Sequence, residues 1–305
     1  MSVQELGVAR RCGFVALIGA PNAGKSTLLN ALVGQKVSIV SRKAQTTRAL
    51  IRGIAIEGAA QIIFIDTPGI FAPKRRLDRA MVNSAWTGAG EADVSALIVD
   101  ARQGLDEESS AILERLAGQG GRKLLILNKT DALPGKTILI PLAAKLNERL
   151  PFEHTFMISA LAGDGVAELR RAFAALMPEG PWHYPEDQLS DMPMRMLAAE
   201  ITREKLYDRL HQELPYRSTV ETTCWEAARG GAVRIEQTIF VERESQRKIA
   251  LGKNGQTIKA IGAAARRELE EITEGRVHLF LFVKVREDWS EDPERYREMG
   301  LEFPR

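Results

Sequence analysis

One stretch constrains this chain more than any other: Gly19-Ala20-Pro21-Asn22-Ala23-Gly24-Lys25-Ser26-Thr27. It follows the apolar run Phe14–Ile18 and opens the helical pattern Lys25–Val33. Strand, glycine-rich loop and helix in that order match G-x-x-x-x-G-K-[ST], in which backbone N–H groups turn inward around an anion. Glycine permits the close wrap, and the helix N-terminus adds favourable potential for phosphate. Lys25 is expected to reach the β- and γ-phosphates of a nucleotide, and the Ser26 hydroxyl to ligate Mg²⁺.

The surrounding pattern is that of an α/β domain. Apolar runs at Phe14–Ile18, Ile51–Glu57, Gln61–Ile65, Val94–Asp100, Lys123–Leu127 and Thr155–Ile158 alternate with helical stretches. The latter include Lys25–Val33, Glu107–Leu116, Thr137–Leu150 and Gly165–Leu176. Such alternation predicts a mainly parallel sheet with helices on both faces. Only Gly58–Ala60 separates the second and third runs, which predicts a hairpin and hence one antiparallel edge strand.

Three further motifs follow, each at a predicted strand end. Asp66-Thr67-Pro68-Gly69 puts a carboxylate where open α/β sheets bind ligands; Asp66 is expected on the Mg²⁺ side and the Gly69 N–H as a donor to the γ-phosphate. Asn128-Lys129-Thr130-Asp131 can select the base. A carboxylate at Asp131 accepts from N1–H and the 2-amino group of guanine, whereas adenine has neither donor and leaves it unsatisfied. Asn128 and Lys129 are expected to pack beside the base. Ser159-Ala160 fits a backbone N–H contact to guanine O6.

The four motifs in this order resemble the GTPase set. That resemblance makes Gly34–Leu50 a switch containing Ser41-Arg42-Lys43-Ala44-Gln45-Thr46-Thr47-Arg48, with Thr47, rather than Thr46, closing on Mg²⁺ and the γ-phosphate. Lys25, Thr47 and Gly69 are then the residues expected at the reacting phosphate. Ile70 stands where Ras-type GTPases carry a water-positioning glutamine, so slow intrinsic turnover is expected.

At 305 residues the chain is longer than one such domain needs. The stretch Pro178–Asp187, with three prolines and a glycine, breaks regular structure and reads as a linker. Beyond it Met196, Leu197, Ile201, Tyr207, Leu210 and Leu214 suit a helix, and Thr219–Ala227 and Ala232–Glu242 read as strands. A short helix, Gly252-Lys253-Asn254-Gly255, a long helix (Gln256–Ile272) and a strand (Val277–Val285) follow. The expected division is 1–178 for the nucleotide domain, 179–192 for the linker, 193–286 for a second domain and 287–305 for an irregular acidic tail. Between Arg243 and Arg267 seven basic residues, Arg247, Lys248, Lys253 and Lys259 among them, face one acidic residue. Ile249, Leu251, Ile258 and Ile261 flank the turn as a candidate apolar floor.

This G-x-x-G resembles the loop of a KH domain, in which glycines let a turn press on the backbone of single-stranded RNA, and the element order fits type II. Arg247, Lys248, Gly252, Lys253, Asn254, Gly255 and Lys259 become the candidate RNA-binding residues. Bulk charge alone does not announce nucleic acid: residues 179–305 carry 20 basic against 24 acidic side chains. Cys12 and Cys224, and four scattered histidines, give no metal or hydrolase pattern. No apolar run is long enough for a membrane span.

Over nearly its whole length the chain resembles the Era-like GTPase family, which carries a C-terminal type II KH domain. Besides the motifs above, His183-Tyr184-Pro185-Glu186-Asp187 and Glu213-Leu214-Pro215-Tyr216 support this. The resemblance implies GTP and GDP as ligands, Mg²⁺, and binding near the 3′ end of 16S ribosomal RNA with a role in 30S subunit maturation. It further implies a cytoplasmic monomer able to associate peripherally with the inner membrane. It also links Asn22 to K⁺, an ion that substitutes for an arginine finger in this branch. Three other readings stay open: a GTPase whose second domain binds a protein or membrane partner, a constitutive RNA-binding module with structural nucleotide, and a P-loop kinase or ATPase.

Overall fold

The structure, a computed structural model, describes residues 9–41, 43, 46–210 and 214–304. Arg42, Ala44 and Gln45 of the expected switch, and Glu213, lie outside the described residues, as do residues 1–8. The chain divides into two compact units. Among the described residues, one comprises 9–38, 47–191 and 299–304; the other comprises 39–41, 43, 46, 192–210 and 214–298.

The first unit runs β1 (Arg11–Ile18), α1 (Lys25–Val33), β2 (Ile51–Glu57), β3 (Ala60–Asp66), α2 (Arg76–Glu91), β4 (Val94–Asp100), α3 (Glu107–Ala117), β5 (Arg122–Asn128), α4 (Leu139–Arg149), β6 (His154–Met157) and α5 (Val166–Leu176). Its six strands lie in the order β2-β3-β1-β4-β5-β6, parallel except for the β2–β3 hairpin. Every residue of β3 and of β4 is buried, the mark of strands covered on both faces. Ile18, Leu97, Val99, Leu125 and Leu127 pack with α2, α3 and α4. Phe64 meets Phe173 of α5 edge-on at 5.5 Å between ring centroids. Helix α2 escapes the sequence reading because Ala, Gly and Ser dilute its apolar stripe, although Leu77, Met81, Ala85, Trp86 and Ala89 are all buried.

The proline-rich segment is not a free tether. Edge strand β2 leaves backbone groups unpaired, and residues 178–191 satisfy several of them. The Ile54 N–H donates to Leu189 O (2.8 Å), Ser190 Oγ to Arg52 O (2.8 Å), and Arg52 pairs with Asp191 at 2.8 Å. Buried Gln61 accepts from the N–H groups of His183 (2.8 Å) and Tyr184 (3.0 Å), and Trp182 Nε1 donates to Ala59 O (3.1 Å).

The second unit runs α6 (Met194–Arg209), β7 (Ser218–Ala227), β8 (Val233–Val241), α7 (Glu244–Leu251), α8 (Gln256–Ile272), β9 (Val277–Val285) and α9 (Pro293–Glu298). Strand β8 is central, antiparallel to β7 and parallel to β9. This is the type II KH order. Helix α6 stops at Arg209, so Leu210 and Leu214 reach the core from beyond it. The tail is not irregular as expected. Trp289 and Tyr296 bury almost completely, Trp289 Nε1 donates to Arg217 O (3.2 Å), Tyr296 Oη donates to Ser290 O (2.8 Å), and Arg295 pairs with Glu221 and Glu298. Burial of two aromatic side chains outweighs the acidic composition that suggested irregular structure.

Candidate nucleotide site and nucleic-acid face

The phosphate loop leaves the buried β1 at Ile18 and closes on α1. Added Cβ atoms at Gly19 and Gly24 would come within 3.0 Å of Ile98 O and Asn128 Nδ2, and Gly24 has φ 98°, so neither position tolerates a side chain. Lys25 is buried, its Nζ donating to Gly19 O (3.0 Å) and Ala20 O (2.9 Å). Burial lowers its pKa to about 8, against the opposing pull of Asp66 and Glu108.

Asp66 ends β3 fully buried. Its Oδ2 accepts from Ser26 Oγ (2.7 Å), Ser38 Oγ (2.9 Å) and Thr47 Oγ1 (3.3 Å), and the Ser26 and Thr47 hydroxyls lie 2.8 Å apart. Its Oδ1 is buried without a partner. Burial raises this carboxyl's pKa, while the three hydroxyls and Lys25 oppose the rise. A hard dication suits this donor set: carboxylate and hydroxyl oxygens around one orphaned acceptor. Thr46 does not join it, its hydroxyl donating to Lys43 O at 2.8 Å. Ser38 does, and sequence reasoning missed it. Asn30 fixes it by accepting from the Val37 and Ser38 N–H groups (2.9 Å each), a contact that no local motif announces.

Thr67 Oγ1 donates to Leu17 O (2.7 Å) and the Ile70 N–H to Gly19 O (3.1 Å), clasping Asp66–Gly69 to the phosphate loop. A Cβ at Gly69 would strike Pro21. The Ile70 side chain is buried and belongs to the same core cluster as Ile18 and Val99.

On the base side, Asn128 Nδ2 donates to Ala23 O (2.9 Å) and Lys129 Nζ to Asn22 O, so both motif residues grip the phosphate loop. Lys129 adopts a left-handed backbone, φ 67°, and Asn22 likewise at φ 61°. Asp131 is exposed, with Oδ1 accepting from Ser159 Oγ at 2.6 Å. The Ala160 N–H donates to Asn128 Oδ1 (3.0 Å), so a contact from it to a guanine oxygen shares that proton. Asp100, outside all four motifs, bonds Lys129 Nζ at 2.8 Å. Burial alone would raise its pKa, but hydrogen bonds from Arg102 and Lys129 dominate and hold it at about 2.

In the second unit, Gly252 (φ 74°), Asn254 (φ 52°) and Gly255 (φ 75°) make a turn between α7 and α8. A Cβ at Gly252 would collide with Thr257. Lys248, Lys253, Asn254 and Lys259 are exposed, and Arg247 pairs with Glu244 at 2.9 Å. Ile249 is 57% exposed, but Ile261 is fully buried in the core of this unit and so is not part of any floor under bases. Val40, Lys43 and Thr46 join this unit through α6: the Val40 N–H donates to Glu204 Oε1 (2.8 Å), Lys43 to the Tyr207 and Leu210 carbonyls, and Arg203 to Thr46 O.

Two family models match separate parts of the chain. A family model described as 50S ribosome-binding GTPase matches residues 14–129, and a KH domain model matches 213–290. GTPase Era of a Bradyrhizobium strain is 67% identical over 299 residues, 98% of this chain and 97% of the relative. The chain belongs to the Era family of GTPases. Era of Rhizobium meliloti is 63% identical over 298 residues, covering 98% of this chain and 95% of its own. Two solved Era structures superpose with a TM-score of 0.90, each covering 95% of this chain and 99% of its own. One, from Aquifex aeolicus, is bound to GDP and AlF4⁻ and is 39% identical. The other, 38% identical, is in complex with MgGDPNP and nucleotides 1506–1542 of 16S ribosomal RNA. The chain is therefore an Era-type GTPase with a C-terminal KH domain.

Proposed function

We propose that the chain binds GTP with Mg²⁺, hydrolyses it slowly, and uses the nucleotide to gate binding of the 3′ region of 16S ribosomal RNA during 30S maturation. One observation carries this reading. A single solved relative, alike over 95% of this chain, holds both ligands, and the present chain has the side chains to meet each. The large-subunit label of the family model touching residues 14–129 weighs less, because it covers only part of the nucleotide unit.

In this reading Gly19–Thr27 cradles the phosphates, with Lys25 at the β- and γ-oxygens. Ser26, Thr47 and Asp66 would hold Mg²⁺, which neutralises charge on the phosphates. The Gly69 N–H faces the γ-phosphate, Asn128, Lys129 and Asp131 hold guanine, and the N–H of Ala160 shares in its O6. With Ile70 buried, activation of water falls to another group, and Asn22 beside the phosphates is the candidate K⁺ ligand. The KH turn, with Lys248, Lys253, Asn254 and Lys259, takes the RNA backbone.

The gate follows from chain connectivity. Ser38 and Thr47 both bond Asp66, while the residues between them bond α6 of the KH unit. A γ-phosphate that draws Thr47 to the metal pulls on the same strand of chain. No helix among the described residues is long and apolar enough to cross a membrane; the membrane association we propose is peripheral. We expect a monomer.

The test is binding of a labelled oligonucleotide spanning the 3′ end of 16S RNA, with GDP and with GDPNP. Tighter binding with GDPNP, lost in Lys253→Glu, is expected. Equal affinity with either nucleotide removes the gate, and affinity unchanged in Lys253→Glu removes the KH assignment. Hydrolysis at equal rates in K⁺ and Na⁺ excludes the K⁺ role of Asn22.

A further inference from the structure

A charge cluster outside the nucleotide motifs grips one of their members. Asp100 ends β4 directly opposite Asn128 in the parallel ladder, and the Ala101 N–H donates to Asn128 O at 2.9 Å. The Asp100 side chain is only 3% exposed, and both of its oxygens are engaged. Oδ1 accepts from the N–H and the Nε of Arg102, each at 3.0 Å. Oδ2 accepts from Arg102 Nη2 (2.6 Å) and Lys129 Nζ (2.8 Å).

The Lys129 ammonium therefore sits between two acceptors from different parts of the unit: the carboxylate at the end of β4 and the Asn22 carbonyl of the phosphate loop. A lysine side chain has four rotatable bonds and loses considerable freedom when ordered. A buried carboxylate that fixes its head before ligand arrives removes that loss from the binding step. The carboxylate in turn needs a fixed orientation, and the planar fork of Arg102 supplies it through two parallel bonds. A surface-capping role predicts less. A buried carboxylate that merely ended β4 needs partners for both oxygens but could take them from any nearby donor; here the donor to Oδ2 besides Arg102 is a residue of the base-binding motif.

We infer that Asp100, clamped by Arg102, is a positioning residue for guanine nucleotide, holding Lys129 in the pose in which it flanks base and sugar. The inference rests on the assignment of Lys129 to the nucleotide made above. It assigns no contact between Asp100 and the ligand. It therefore predicts loss of affinity without loss of base discrimination, since Asp131 alone meets the 2-amino group.

The experiment measures dissociation constants of fluorescent GDP and of its inosine counterpart, which lacks the 2-amino group, on the full chain. Variants are Asp100→Asn, Arg102→Gln, Lys129→Met and the Asp100→Asn/Lys129→Met pair. Lys129→Met and Asp100→Asn are each expected to weaken GDP about ten- to a hundredfold, as for loss of a charged hydrogen bond. Arg102→Gln, at a side chain 47% exposed, is expected to keep the fold and weaken GDP severalfold. The ratio of GDP to inosine diphosphate affinity stays at its wild-type value in Asp100→Asn, and the double variant is no weaker than Lys129→Met alone.

GDP affinity within twofold of wild type in Asp100→Asn, or multiplicative losses in the double variant, overturns the inference while the nucleotide site stands. Unchanged affinity in Lys129→Met instead overturns the assignment of Lys129 itself, and the inference with it. Thermal unfolding of each ligand-free variant provides the check on folding. A loss of GDP affinity matched by loss of the folded state, with Arg102→Gln unaffected, also counts against the inference.

Discussion

The two ligand faces of this chain are built on opposite plans. The nucleotide site is assembled largely from buried groups: Lys25, Thr47, Asp66, Asn128 and Ser159 are all nearly inaccessible and each is held by several partners, although Asp131 is exposed. The KH face is an exposed turn, with Lys248, Lys253 and Lys259 projecting into solvent. Preorganisation in a low-dielectric pocket strengthens each polar contact and allows chemistry, whereas solvated lysines on a stiff turn give affinity that depends on salt and on backbone contact. Substitutions should therefore act sharply and singly at the first face and gradually at the second.

The largest effect is expected at Lys25. In the proposed site Lys25 donates to the phosphates, so Lys25→Ala should lower kcat for GTP by about 10²–10³-fold in single-turnover assays, with RNA affinity in GDP unaltered. A comparable loss from any single KH lysine would erase the contrast.

The same lysine supplies a pH signature that the exposed face lacks. Its pKa of about 8, set chiefly by burial, means that it loses its proton as pH rises through 8. Phosphate favours the charged form, so nucleotide affinity should be intact below pH 7 and fall about tenfold between pH 7 and 9, measured by calorimetry. The contribution to stability has the opposite sign. The unfolded lysine titrates near 10.5, so above pH 8 the unfolded state binds more protons and the penalty for burying this charge declines. Flat GTP affinity over the window would show that phosphate meets Lys25 without the cost of burial implied here.

The contrast also explains what could be read from the sequence. The phosphate loop, Asp66–Gly69 and Asn128–Asp131 were legible because backbone geometry dictates residue type there. Only glycine fits at 19 and 24, and the strand ends that carry Asp66 and Asn128 follow from apolar runs. Ser38 and Asp100 were not legible, because their roles arise from neighbours distant in sequence: Asn30 and Asp66 for one, Lys129 for the other. The KH turn was visible as glycine spacing with a basic neighbourhood. Composition misled about the tail, whose two buried aromatics lie in an otherwise charged stretch, and nearness to the turn put Ile261 in an apolar floor under bases although it belongs to the core.

Within the KH turn, glycine positions should separate by packing. Gly252→Ala places a Cβ against Thr257 at φ 74° and should weaken RNA binding about tenfold or more, with a lower melting temperature. Gly255→Ala, also at positive φ, meets nothing closer than 3.8 Å. It carries only the left-handed backbone penalty, roughly 1 kcal/mol, and should be the milder of the two in filter binding and in thermal unfolding.

The smallest expected effect sharpens the comparison most, because it counts charges one at a time. On single-stranded RNA each neutralised phosphate contributes about −0.7 to the slope of log K against log salt. Lys253 is exposed at the tip of the turn, so Lys253→Ala should make the slope shallower by about that amount. Arg247 is already paired with Glu244 and spends its charge within α7. Arg247→Ala should leave the slope unchanged within error while lowering affinity modestly, since the freed Glu244 carboxylate then repels the backbone. Equal slope changes in the two variants would mean that RNA breaks the Arg247–Glu244 pair, and that the KH face, like the nucleotide pocket, rearranges its internal contacts around the ligand.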